Sequence, residues 1–250
     1  MYHGIIAGQF DIPVNSEAGA QFYDLPEAGF REQLALLKEK GYPVLRVEEA
    51  LAHTESDPVV ITFDDGELNN FTRAFPILRE MKIPAYFFIT ASRIGKPGYM
   101  GWEDLKKLLD ADMIIGSHGF NHELLTGLND KELHKELVES KAVLENHLQT
   151  RIDSFSVPRG FFDRSILQKI QDAGYSQVFV SEHQSVLPEG CWARTPVKGN
   201  WSLGRFEMAL SGQVPVGERV FDAAKGLVKK MLGSEGYDRM RSRLLRKSDS

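Results

Sequence analysis

Two pairs of residues in this 250-residue sequence are suited to do chemistry together. Asp64 and Asp65 are adjacent carboxylates followed by Gly66. On an extended chain their side chains point to opposite sides. One can then bind a metal while the other stays free as a general base toward an attacking water. His118 and His122 are four residues apart, so on a helical turn their rings share a face and could hold one cation. Each pair also has a plainer reading. Asp-Asp-Gly is a good turn sequence, and a His pair at this spacing can be a chance surface pair. Asp65 shifts the balance, because two imidazoles and one carboxylate form a three-ligand, open-sided set of the kind that catalytic metals use. The set suits zinc; nickel, cobalt or manganese would fit it too.

These residues need elements that bring them together. Val59 to Phe63 reads as a buried strand ending at Asp64, and Ala85–Ile89, Met113–Ile115, Phe155–Val157 and Gln177–Val180 read likewise. Helix-period stripes lie between them: Phe71, Ala74, Phe75, Leu78 and Met81 in one, Leu133, Leu137, Leu144 and Leu148 in another. Pro26–Lys40 reads as a helix ended by Gly41, Tyr42–Leu45 as a strand, and Val47–Ala52 as a short helix. Asn129, with Glu132 three residues on, and Asp163 read as helix N-caps. Alternating strands and helices predict an α/β fold with parallel strands, as a barrel rather than two separate domains. In such folds the carboxyl ends of the strands open onto one face. Asp64-Asp65, His118 to His122, Pro158-Arg159-Gly160 and Ser181-Glu182 all follow predicted strands, so they are expected to converge.

Composition bounds the rest. The chain is 42% hydrophobic and 26% charged, which excludes fibrous and largely disordered classes. A single cysteine, Cys191, allows no internal disulfide. The net charge of −5 argues against a nucleic-acid partner. Gly4 to Asp11 is too short and polar for a secretory core, and no apolar run approaches the roughly 20 residues of a membrane span, so a cytoplasmic location is expected. The charge is uneven: residues 217–250 carry nine Lys/Arg against five Asp/Glu. There an apolar stripe through Val220, Phe221, Leu227 and Met231 is flanked by lysines. It reads as an amphipathic helical tail, either packed on the body or resting on an anionic membrane surface.

Taken together, these residues resemble the polysaccharide deacetylase family, carbohydrate esterase family 4, with its NodB-homology domain. Thr62-Phe63-Asp64-Asp65-Gly66 matches its first motif. His118-x-x-x-His122, with Leu125 three residues on, matches its second, and Tyr2-His3 resembles the first strand of many members. The resemblance covers about residues 1–210, and the two motifs in this order and spacing are highly specific. It implies a distorted (β/α)7-type barrel, assigned here to residues 1–216, and 217–250 stands outside the resemblance as the basic helical tail. It also implies a carbohydrate substrate and hydrolysis of its N-acetyl group with one divalent metal. In that mapping Asp65, His118 and His122 hold the metal and Asp64 is the base.

Two family motifs are altered. The third usually reads Arg-Pro-Pro-Tyr-Gly, its Arg ordering the base; here it is Ser156-Val157-Pro158-Arg159-Gly160. Arg159 is expected to supply the missing charge from three residues later, or else to close the turn or bind substrate. The fifth motif, Leu-x-His, supplies the family's general acid, yet no His follows His183 and Trp192–Val197 carries none. His3, expected at the end of the first barrel strand, is the leading candidate for the acid, with a purely structural strand histidine as the alternative and His183 behind it. The altered motifs leave two rival functions: an amidohydrolase acting on another C–N bond of a small nitrogen compound, or a carbohydrate-binding protein that has lost catalysis.

Overall fold

The computed structural model describes residues 1–8, 11–13, 19–181 and 187–213, with Gly236 and Met240. His183 and, apart from those two residues, the 217–250 tail lie outside the described residues. The strands are β1 (Ile5–Ile6), β2 (Leu25–Pro26), β3 (Thr62–Phe63), β4 (Tyr86–Ile89), β5 (Ile114–Ser117), β6 (Ser154–Ser156), β7 (Gln177–Val180) and β8 (Cys191–Ala193). The helices are α1 (Glu27–Glu39), α2 (Val47–Ala52), α3 (Phe75–Met81), α4 (Trp102–Asp110), α5 (Asp130–His134), α6 (Ser140–Leu148), α7 (Arg164–Asp172) and α8 (Leu203–Leu210).

Strands β3 to β8 form one sheet in sequence order, every pairing parallel. The N-terminal segment bridges its two edges. Tyr2 pairs with Phe63, its N–H reaching Thr62 O at 2.7 Å while Asp64 N–H reaches Tyr2 O at 3.0 Å. On the other side Met1 N donates to Thr195 O and Val197 N–H to Met1 O. The backbone ring thus has seven members, as the resemblance implied, and no sheet edge is left open at this seam.

Side chains alternate across each strand, and this alternation divides the core. Phe63, Phe87, Ile115, Phe155 and Val178 belong to the large cluster that includes Phe30, Leu34 and Leu37 of α1. Tyr86, Phe88 and Phe179, on the opposite faces of their strands, form a separate cluster with Val47 of α2. Gly116 makes room for that inner cluster: a Cβ there would lie 2.4 Å from the Phe88 ring.

Most expected elements are present. Asn129 caps α5 with a reciprocal Glu132 bond, and Asp163 accepts from Ile166 N–H at the start of α7. Tyr42–Leu45 does not form a strand; only Val44 bridges Val59. Two expected helices are interrupted by π-helical turns, Asn70–Ala74 before α3 and Lys135–Glu139 before α6. Such turns insert one residue without changing the apolar stripe much, so periodicity does not reveal them.

Phe63 stacks on Phe87 at 4.9 Å and contacts Tyr2 and Phe30. It anchors the strand that ends at Asp64. Phe63→Ala is expected to lower stability by about 3–5 kcal/mol, read from the urea midpoint; a loss below about 1 kcal/mol would contradict the packing described.

Candidate metal centre and active site

Asp64 directly follows β3 and lies on the inner face with Thr62. The next residue breaks the extended chain: Asp65 has φ +73° and Gly66 φ +76°. The expectation that both aspartates sit on extended backbone is therefore corrected. The left-handed turn, uncommon for a non-glycine residue, swings Asp65 round so that both carboxylates reach one histidine. His118 Nε2 is 3.9 Å from Asp64 Oδ2 and 3.9 Å from Asp65 Oδ1, and His122 Nε2 is 3.6 Å from the same Asp65 oxygen.

The histidines do not lie on a helix. His118 follows β5, and His122 sits in the loop beyond it with φ +66°. Glu136 shapes that loop. From the π-helical turn, its buried carboxylate accepts from Phe120 N–H at 2.9 Å and from Asn121 N–H at 2.9 and 3.1 Å. A Cβ on Gly119 would collide with it at 2.5 Å. Sequence reasoning missed Glu136 because a helical Glu carries no positional signal.

Asp65, His118 and His122 offer one ligand atom each, all within 4.8 Å of one another, and the two rings meet edge-on at 4.7 Å. His118 Nδ1 lies 2.8 Å from Ser156 O. A carbonyl only accepts, so Nδ1 carries the proton and Nε2 turns its lone pair toward Asp65 and His122. Burial holds His118 down at about 4, with Asp64 opposing that shift. His118 is thus a neutral imidazole, the state a divalent cation requires. Arg93 also donates to Asp65 Oδ1, at 2.9 Å. Burial favours a protonated Asp65, but His122, His118, His3 and Arg93 outweigh it and hold the group below its usual range.

Asp64 is only 3% exposed. Arg194, just past β8, grips it with two bonds: Nη1 to Oδ1 at 2.7 Å and Nη2 to Oδ2 at 2.8 Å. Ser156 Oγ donates to Asp64 Oδ2 at 3.1 Å. Burial would raise the Asp64 pKa, but Arg194 and His118 override it and hold the carboxyl far below the ordinary value. This corrects the role expected of Arg159. It lies in the 3-10 turn Pro158–Gly160 with φ +58°, and the guanidinium bonded to Asp64 is Arg194. The signal was present in the sequence: Ser156 vacates the arginine position, and an arginine stands at another strand end.

His3 lies on the same wall. Its ring lies tilted against that of Tyr23 at 4.9 Å, its buried Nδ1 has no hydrogen-bond partner, and Asn70 Nδ2 donates to its carbonyl. Burial lowers its pKa, while Asp65 and Asp64 both pull it upward. Among the described residues no helix is long and apolar enough to cross a membrane.

The family model for polysaccharide deacetylase matches residues 52–178. Among curated proteins, the chain is 28% identical over 127 residues to the peptidoglycan-N-acetylglucosamine deacetylase of Bacillus cereus, covering 50% of this chain and 57% of that protein. It is 33% identical over 213 residues to the poly-beta-1,6-N-acetyl-D-glucosamine N-deacetylase of Escherichia coli K12, covering 76% of this chain and 31% of that protein. It therefore spans 57% and 31% of their respective lengths. The structure of the Streptococcus pyogenes deacetylase PplD in complex with acetate superposes with a TM-score of 0.72 at 21% identity, covering 86% of this chain and 96% of that one.

Two outcomes follow from this geometry. Glu136→Gln places an N–H2 group against backbone donors. It should weaken zinc binding about 10–100-fold by calorimetry while the protein stays folded; unchanged affinity would refute the clamp. The lowered His118 pKa means that the unfolded chain takes up its proton first, near 6.5. The stability of the metal-free protein should be fully present above that pH and decline as pH falls toward about 4. His118→Gln should flatten that decline in thermal melts; an unchanged slope would speak against it.

Proposed function

Because the chain belongs to the polysaccharide deacetylase family, we propose that it is a metal-dependent hydrolase that removes the acetyl group from an N-acetylated sugar of a glycan or glycan precursor. The observation that carries this reading is a free carboxylate beside a three-donor cation set. Asp64 is held by Arg194 and Ser156, close to but separate from the cluster of Asp65, His118 and His122. A protein that only bound sugar would have no use for an ionised, oriented base at that position.

Asp65, His118 and His122 would hold the cation, and zinc best suits two imidazoles and a carboxylate. When bound, a divalent cation polarises the acetyl carbonyl and makes water a stronger acid. Asp64 takes the proton of the attacking water; the two bonds from Arg194 fix which lone pairs face it. His3 is the acid that protonates the departing amine. Its place beside Tyr2 and the end of β3, and its buried Nδ1 without a hydrogen-bond partner, support this role. The products are the free amine and acetate.

The test is acetate release from N-acetylated oligosaccharides by the zinc-loaded full chain, run beside a panel of small amides. Asp64→Asn should lower kcat at least about 100-fold while zinc content stays at wild type. His3→Ala should lower kcat with little change in zinc content. A zinc-loaded protein that releases no acetate but turns over small amides would replace this reading with the amidohydrolase one. Failure to bind zinc would leave the sugar-binding reading.

A further inference from the structure

We infer that Arg194 is the residue that positions the base, and that this task has moved to the residue following β8 from the third-motif position, where Ser156 now stands. The inference deepens the deacetylase reading and rests on it.

Three contacts carry it. The guanidinium meets Asp64 as a fork, one nitrogen to each oxygen, at 2.7 and 2.8 Å. Only arginine offers two parallel donors that match a carboxylate. Ser156 is tied into the same unit: it accepts from Arg194 Nη2 at 2.7 Å and donates to Asp64 Oδ2 at 3.1 Å. The residue at the vacated position is thus a link between base and guanidinium. Thr62 Oγ1 accepts from Nη1 at 3.2 Å, so the residue two before the base also holds the fork.

The surroundings show that the arginine is built in. Arg194 is 6% exposed. Its guanidinium carbon lies 5.3 Å from the Phe88 ring centroid and 5.7 Å from that of Phe179. Two aromatic faces stabilise the cation and limit where its head can go. The fork therefore rests on four other strands: β3 through Thr62 and Asp64, β4 through Phe88, β6 through Ser156 and β7 through Phe179. A side chain held from so many directions fixes the carboxylate plane, and orientation of the base is where rate is gained. Arg194 touches neither the cation donors nor, in this reading, the substrate, so it acts through Asp64.

The experiment compares wild type with Arg194→Ala, Arg194→Lys and the double variant Arg194→Ala/Ser156→Arg. Each is loaded with zinc, with unfolding midpoint and zinc content measured beside the kinetics. Arg194→Ala should lose about 100-fold or more in kcat, with KM and zinc affinity within about threefold of wild type. The double variant returns the guanidinium to position 156 and into the space that residue 194 vacates. It should recover at least a tenth of the wild-type kcat. Should the alanine variant fail to fold, the lysine variant decides. It keeps charge and length but loses the fork, so it should fold and lose about tenfold in kcat at constant KM. A folded alanine or lysine variant at the wild-type rate overturns the inference, as does a folded, zinc-loaded double variant no faster than Arg194→Ala. If wild type itself releases no acetate, the deacetylase reading fails instead.

Discussion

The buried ion pair between Asp64 and Arg194 is the constraint around which the rest of the site is arranged. Each partner is almost fully removed from water, and a buried charge is costly unless its partner and its hydrogen bonds are complete. Here they nearly are: both carboxylate oxygens are bonded to the guanidinium, and Ser156 and Thr62 fill further positions. Removing one partner would strand the other, so the pair fixes the relative positions of β3, β6 and β8. The inner aromatic cluster and the gap left by Gly116 then read as accommodation for a cation inside the barrel.

The donor cluster is built on that base. The chain leaves β3 at Asp64 and turns at once through left-handed backbone, which brings Asp65 to the histidines. Left-handed conformations at Asp65 and His122 are locally unfavourable and persist because neighbours hold them. Glu136 holds the histidine loop from a π-helical turn. Asn70, in the other such turn, holds the backbone of His3. Both irregular turns therefore carry a buried polar side chain to a segment of the site. Their inserted residues, which periodic patterns cannot show, have a visible structural use.

How far the sequence could be read depended on where the information lay. Local chemistry was legible: the Asn129 and Asp163 caps, α2, and the strands before Asp64 and His118 follow from residue type and spacing. The grouping of Asp65, His118 and His122 was legible because all three follow parallel strands, and strand ends share a face. The conformations that complete the group were not. Asp-Asp-Gly does not say that the second aspartate is left-handed, and a four-residue His spacing suggests a helix where a clamped loop exists. Arg159 was chosen for the missing charge because it is near in sequence. Arg194 is 38 residues from Ser156 in the chain but 2.7 Å from its hydroxyl. Ring closure makes such contacts, and sequence distance hides them.

The most direct measurement is the position of a bound zinc ion, located by anomalous diffraction from crystals of the full chain grown with zinc. One strong peak is expected, bounded by Asp65, His118 and His122, with Asp64 outside the coordination sphere and still bonded to Arg194. A peak coordinated by Asp64, or zinc bound only away from these four residues, would contradict that arrangement.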